Sequence, residues 1–568
     1  MLDASSLWEL VLARAEAGPD ALMVVDERSM RLTFAGYKEA AERAAAGLAR
    51  LGVGEGSVVS WMLPTRLEAF VLAGALSRLS AVQNPIIPIY RHREVGFILE
   101  QAGSDFVVVP GAWRGFDYEQ MARELSAASV LEPAVIVCNR ELPDGDPAEL
   151  AGPGGSGSAG KPGGSGSAGN PGGNAGTGLR ASRPEVRWLF YTSGTTADPK
   201  GAMHTDASIM AVARGMAECL DFGPEDRNAL LFPFTHVAGP IWLATSLMTG
   251  GANIVMERFD PAEAVEVLRR EGVTMAGSGT TFHQAYLAAQ RSSAGGPIFP
   301  RLRCCPGGGA PKPPMLHSEV KRELGGAGVL SGWGLTEAPI LTMGRFDDPD
   351  RKLATTEGRP MPGVELRVVA PDGSVLERGL EGELRARAPQ MMAGYVDSSL
   401  DAEAFDEDHY FRTGDLGVMD DDGYVVITGR LKDVIIRNGE NISAKEVEDL
   451  LYEHPKVRDV AVVGVPDPVT GERACAVVVG EGGERISIDE AASFLESRGL
   501  RRQAVPERIE HVDALPRNPA GKVLKQDLRV LFTTASELAP PGLTQLPGLT
   551  QPSGQSAPAA SLGEGGGL

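Results

Sequence analysis

The chain has little of what several functional classes require. Its five cysteines, Cys138, Cys219, Cys304, Cys305 and Cys475, show no Cys-x-x-Cys spacing. That speaks against a zinc ribbon or a redox pair and fits a reduced, cytoplasmic protein. No run of 18 apolar residues occurs, so a membrane-spanning helix is not expected. The stretch from Met1 to Leu12 carries acidic residues where a secretory signal needs positive charge. Basic side chains are the minority: 54 Lys and Arg stand against 75 Asp and Glu, a net charge of −21. A broad nucleic-acid footprint is a poor fit to that balance. Any bound polyphosphate has to be gripped locally, by backbone N–H groups, a few Lys or Arg side chains and a metal ion.

What remains is ordinary globular material. The 568 residues exceed what one hydrophobic core usually holds, and 43% apolar with 23% charged residues supplies packed sheets and helices. From Thr33 to Leu51, the apolar positions Tyr37, Ala41, Ala44, Leu48 and Leu51 keep helical spacing and end at Gly52, which predicts an amphipathic helix. The short apolar runs Val58 to Leu63, Ala81 to Pro85 and Asp105 to Val109 alternate with helical patterns such as Leu67 to Arg78. That alternation predicts parallel strands with crossover helices, an α/β architecture. Residues 151–178 break the pattern: PGGSGSAGK at Pro153 recurs almost unchanged at Pro162, with no large apolar side chain. A flexible insert is expected. A tail, 535–568, with a repeated Pro-Gly-Leu-Thr-Gln has the same character. After Gly429-Arg430-Leu431-Lys432-Asp433 the pattern changes again. Ser443 with Glu446 and Ser487 with Glu490 form capping-box patterns, and Asp459 to Val465 and Ala474 to Val479 read as strands. The expected organisation is a large domain, 1–431, a small α+β domain, 432–534, and the tail.

Chemistry concentrates in a few segments. Tyr191-Thr-Ser-Gly-Thr-Thr-Ala-Asp-Pro-Lys-Gly201 follows an apolar strand and sets Thr192, Ser193, Gly194, Thr195, Thr196 and Lys200 in one short turn. So many donors suit a phosphate clasp. It is not a Walker A loop, because Gly201 follows Lys200, and not a hydrolase elbow, because Ser193 lacks a glycine two residues before it. Taken alone, a plain Ser/Thr turn explains it at least as well. Further segments are Phe234-Thr-His-Val-Ala-Gly239, Gly307-Gly-Gly-Ala-Pro311, Gly332-Trp-Gly-Leu-Thr-Glu337, Phe411-Arg-Thr-Gly-Asp415, Thr428-Gly-Arg-Leu-Lys432 and Pro516-Arg-Asn-Pro-Ala-Gly-Lys522.

In this order these segments resemble the signatures of the adenylate-forming superfamily of acyl-CoA synthetases, aryl-CoA ligases, luciferases and peptide-synthetase adenylation domains. The resemblance runs from about Leu7 to Leu531, apart from the Gly/Ser insert. Gln83 to Val95 and Arg114 to Tyr118 look like the cyclohexanecarboxylate–CoA ligase branch and its short- and medium-chain relatives. The resemblance implies a large N-terminal domain of parallel-sheet subdomains plus a small β subdomain, and a mobile C-terminal domain. It implies ATP and coenzyme A as co-substrates, Mg2+ as cofactor, and a carboxylic acid that becomes acyl-AMP and then acyl-CoA.

Residue by residue, the resemblance assigns the β- and γ-phosphates to Thr192 through Thr196 and Lys200, with Ala197 standing where glycine is common. It sets Gly308, Gly309 and Ala310 under the adenine, beside Gly332, Trp333 and Gly334, with Trp333 in place of the more frequent tyrosine. Thr336 falls on the α-phosphate, Glu337 on magnesium, Asp415 on the ribose, and Ile427 and Arg430 near it. His236 falls beside the acyl pocket, for which Val237, Ala238, Gly279, Thr280, Gly308 and Leu335 are further candidates. Lys432 takes the hinge position. Lys522 faces the carboxylate and α-phosphate in one state, and Asn438 with Gly439 faces the pantetheine tunnel in the other. The small or apolar pocket candidates point to an alicyclic or short- to medium-chain acid. Coenzyme A is favoured as the thiol because too little chain follows Leu531 for a carrier domain; loading of a separate carrier protein and silent acyl-nucleotide binding are the alternatives. The resemblance is compatible with a homodimer.

Overall fold

The computed structural model describes residues 1–150, 185–192, 198–277, 279–309, 312–518 and 521–533. The Gly/Ser tract 151–178, the tail 535–568, Ser193, Gly194, Thr195, Thr196, Ala197 and Ala310 lie outside the described residues.

The fold is that of the adenylate-forming enzymes, a large N-terminal part of mixed, mainly parallel sheets followed by a smaller C-terminal part. The predicted helix is Phe34–Arg50. Thr33 caps it by accepting from the Gly36 N–H, and Gly52 follows at φ 96°, a conformation that favours glycine. A six-stranded sheet runs in the order Lys200–Thr205, Val186–Thr192, Val82–Pro85, Val58–Trp61, Phe106–Val109, Ala134–Val137. Its pairs are parallel except the first, where Lys200 lies opposite Thr192 in antiparallel register. The phosphate-loop candidate is therefore the connection of a β-hairpin on the edge of this sheet. The inner strands are buried on both faces, which is why they read as continuous apolar runs.

A second sheet orders Arg227–Leu230, Ala252–Val255, Leu22–Asp26 and Arg31–Thr33. A third pairs Cys305–Gly308 in parallel with Val329–Trp333, bringing Gly308 level with Gly332. One large apolar core, from Leu7 to Met361, joins these layers. An antiparallel sheet follows, Glu365–Val369, Glu381–Arg387, Phe411–Met419 and Val425–Arg430, in which Asp415 pairs with Arg430.

Beyond a short 3-10 turn, Leu431–Asp433, a separate sheet of Val434–Arg437, Glu440–Ser443, Gly471–Gly480, Val457–Asp467 and Arg508–His511 builds cores of its own. Ser443 and Ser487 cap the helices Ala444–Leu451 and Ile488–Ser497 by accepting from the Glu446 and Glu490 N–H groups. The Glu490 carboxylate does not close a capping box; Lys456 takes it at 2.8 Å.

Candidate active site

Three strand ends and one C-terminal loop converge. Cys305–Gly308 and Val329–Trp333 end side by side, and their glycines are sterically required: a Cβ on Gly308 would stand 2.8 Å from the Gly332 carbonyl oxygen, and one on Gly332 would meet Met343 Sδ at 2.7 Å. The chain after Trp333 turns back so tightly that a Cβ on Gly334 would lie 2.2 Å from Ile340 N. That turn carries Leu335, half-buried, together with Thr336 and Glu337.

Asp415 is 2% exposed and doubly held. Trp333 Nε1–H donates to its Oδ2 at 2.7 Å, and Arg430 Nε approaches its Oδ1 at 2.8 Å. Its backbone N–H donates to Thr413 Oγ1 at 3.1 Å. Glu337 is buried; the Tyr395 hydroxyl donates to its Oε1 at 2.9 Å, and Lys200 Nζ lies 5.6 Å from the centre of the Tyr395 ring. Burial and the Glu337 carboxylate raise the Tyr395 pKa, so the phenol stays a donor. Thr336 is held through its carbonyl, 2.9 Å from His204 Nε2, while His204 Nδ1 lies 3.1 Å from Ser208 Oγ. Burial pushes the His204 pKa down to about 4, so the ring is neutral and its Nε2 carries the proton that Thr336 O accepts.

Lys522 reaches this cluster from the C-terminal part. Its loop is braced: Lys522 N–H donates to Asn518 Oδ1 at 2.9 Å, Arg517 Nη1–H donates to the Gly521 carbonyl at 2.6 Å, and Arg517 Nη2 lies 2.7 Å from Asp459 Oδ2. Gly521, at φ 84°, takes a backbone conformation that favours glycine, and a Cβ there would lie a tight 3.2 Å from Thr281 Oγ1. Burial, then the charges of Arg430 and Lys432, pushes the Lys522 pKa down to about 7, against the opposing pull of Asp415 and Asp433. A cation held among cations and poised near neutrality is ready for an anionic ligand.

The acyl-pocket candidates surround helix starts. Gly279, at φ 127°, precedes the helix Thr280–Ser292 and would place a Cβ 3.2 Å from the Gly308 carbonyl. Val237 precedes Ala238–Thr249, and His236 Nδ1 accepts from the Ala238 N–H at 3.2 Å. Burial holds the His236 pKa at about 4. Ile427 lies on the strand that ends in Arg430 and opposes Gly417. Lys432 is exposed in the turn after that strand. Asn438 and Gly439 form an exposed turn with φ 51° and 78°, and Asn438 N–H bonds Thr470 within the C-terminal sheet rather than the cluster.

Tyr395, His204 and the indole N–H of Trp333 escaped the sequence reading. None lies at a fixed spacing from the residue it holds. Among the described residues no group of three or more His, Cys, Asp and Glu is placed to hold a metal. Glu337 nonetheless suits magnesium, a hard cation commonly bound by one or two carboxylates together with substrate phosphates. Among the described residues its Oε1 is engaged and no hydrogen bond or ion pair meets Oε2.

The paired Gly308 and Gly332, the buried Asp415–Arg430 pair and the braced Lys522 loop are the features that the sequence expected of a nucleotide-dependent ligase. An AMP-binding enzyme family model matches residues 11–396, and the C-terminal domain model of AMP-binding enzymes matches 446–522. The medium-chain fatty-acid–CoA ligase of Escherichia coli (strain K12) is 29% identical, covering 92% of this chain and 90% of its own. The salicyl-AMP ligase / salicyl-S-ArCP synthetase of Mycobacterium tuberculosis is 33% identical over 90% and 88%. The solved structure of a Mycobacterium tuberculosis fatty acyl CoA synthetase superposes with a TM-score of 0.67 at 28% identity, covering 93% of this chain and 98% of that one. The chain belongs to the AMP-binding enzyme family, within the adenylate-forming superfamily, as an AMP-forming acid–thiol ligase. Among the described residues no helix is long and apolar enough to cross a membrane.

Proposed function

We propose that the enzyme joins an apolar carboxylic acid, alicyclic or of short to medium length, to coenzyme A in two half-reactions. A carboxylate oxygen attacks the α-phosphorus of ATP and expels pyrophosphate. The thiol then attacks the acyl carbonyl and expels AMP. The observation that carries this reading is the docking of Lys522, with Gly521 against Thr281, beside Asp415, Arg430 and Lys432.

In this reading Asp415 accepts from the ribose, Lys200 and the hairpin loop hold the outer phosphates, and Thr336 contacts the α-phosphate. Lys522, as an ammonium, draws the two anions together and stabilises charge developing on the phosphorus. Glu337 would hold magnesium, which when bound neutralises charge on the phosphates and the leaving pyrophosphate. His236, Val237, Ala238, Gly279, Thr280 and Leu335 line the acid's entry. No protein nucleophile is needed, since positioning and electrostatics carry the catalysis. The boundary between the bodies is set at Lys432, and rotation there exchanges Lys522 for Asn438 and Gly439.

The test is an acid panel with pyrophosphate detection and hydroxylamine trapping; well-folded protein that releases no acid-dependent pyrophosphate sinks the proposal and leaves a nucleotide-binding role. Lys522→Ala is expected to lower acyl-AMP formation by ~10²–10³-fold while CoA transfer to supplied acyl-AMP survives. A second reading, delivery to a carrier protein, draws on the relative named for salicyl-S-ArCP synthesis. Discharge of acyl-AMP onto a pantetheinylated carrier but not onto CoA would select it.

A further inference from the structure

Trp333 does more than offer a flat face. Trp333 is 7% exposed and belongs to a buried apolar cluster that includes Leu341, Met392, Tyr395 and Phe411, and its backbone N–H donates to Thr342 Oγ1 at 3.3 Å. The ring therefore has one orientation, and its only donor is spent on Asp415 Oδ2 at 2.7 Å. On the other oxygen Arg430 Nε stands at 2.8 Å, supplied by the neighbouring strand in direct register. A carboxylate offers about four lone-pair sites, two per oxygen. Among the described residues, one site on each oxygen is thus occupied and no second hydrogen bond reaches either.

We propose that Trp333 is a positioning residue for nucleotide-sugar selectivity: its indole N–H, with Arg430, fixes Asp415 so that the two remaining lone pairs receive a vicinal ribose diol. The inference rests on the reading of the site as an ATP site. A carboxylate that swivels must be ordered by the nucleotide on arrival, whereas one already locked costs the nucleotide no ordering. The indole N–H achieves this through a charge-assisted bond. Phenylalanine at this position would keep an aromatic face and remove the donor, with a smaller ring.

The test is a cycle between the donor and the ribose hydroxyls. Equilibrium binding of ATP, 2′-deoxyATP and 3′-deoxyATP, each with magnesium, is measured on the full chain and on Trp333→Phe. The expected result is about a tenfold loss of ATP affinity, with a matching collapse of the preference for ATP over at least one deoxy nucleotide. If Trp333→Phe unfolds, the isosteric 3-benzothienylalanine at position 333 removes the N–H at constant shape and takes its place. Equal weakening of all three nucleotides, or no weakening, overturns the proposal and reduces Trp333 to a packing or stacking role. Wild-type protein that binds no ATP overturns the underlying reading as well.

Discussion

Among the described residues, Glu337 is engaged through Oε1 and not through Oε2. Tyr395 donates to Oε1 from 58 positions further along the chain, and its raised pKa keeps the donor intact across the physiological range. Tyr395→Phe removes a bond of about 1–1.5 kcal/mol. The magnesium concentration giving half-maximal pyrophosphate release should rise by roughly fivefold to tenfold, with little change in maximal rate; a titration of metal against rate checks it. His204, His236 and His283 behave as a set, each pushed down from 6.5 to about 4 by burial. Between those values the unfolded chain binds protons that the folded chain refuses, so stability rises with pH through the window and falls as pH drops from about 6.5 towards 4. Urea midpoints should track this, and His204→Gln, which keeps a donor for Thr336 O, should flatten the slope by the share of one group.

Along the elements, pattern carried much of the reading. The helix Phe34–Arg50, the helix Leu67–Arg78 and the buried strands stood out because burial on one or both faces imposes periodicity on the sequence itself. The antiparallel pairing of Thr192 with Lys200 did not. Strand pairing depends on partners, and the seven residues between Thr192 and Lys200, with Ser, Gly, two Thr, Asp and Pro, say turn without saying which strands it joins. Tyr395 stayed hidden for the same reason: its segment has neither fixed spacing to Glu337 nor a recognisable motif. The capping boxes were half legible, since a half-buried Glu490 can choose Lys456 over its own helix terminus. The turn from Trp333 to Leu341 shows how strictly one position can be fixed. A Cβ on Gly334 would meet Ile340 N, Ile340 Cα and Ala338 O at 2.2, 2.8 and 2.9 Å, all backbone atoms with nowhere to go. Ile340, β-branched and at φ 46°, already holds strained backbone there. Gly334→Ala should destabilise the fold by about 1–3 kcal/mol, read as a lower urea midpoint. Nucleotide binding should suffer further, because the turn carries Thr336 and Glu337.

For the molecule as a whole, the reading requires a second arrangement of the C-terminal part, and the connecting turn offers a way to forbid it. In the arrangement described, Ser443 Oγ donates to the Thr428 carbonyl at 2.7 Å, and Arg529 Nη2 lies 3.1 Å from Asp433 Oδ1, which flanks the hinge candidate. Lys432 sits in the 3-10 turn Leu431–Asp433. A 3-10 turn already has a φ near −60°, the value that proline fixes. Lys432→Pro should therefore be tolerated in this arrangement and resist any other that needs a different φ. The expected outcome is a half-reaction split: acid-dependent pyrophosphate release within about twofold of wild type, and CoA transfer to supplied acyl-AMP reduced by roughly an order of magnitude or more. Lys432→Ala serves as the comparison, because it removes the ammonium but leaves rotation free; a loss shared by both variants belongs to the side chain. Equal impairment of both half-reactions in Lys432→Pro alone, or impairment of neither, would show that rotation about this turn does not separate the two steps.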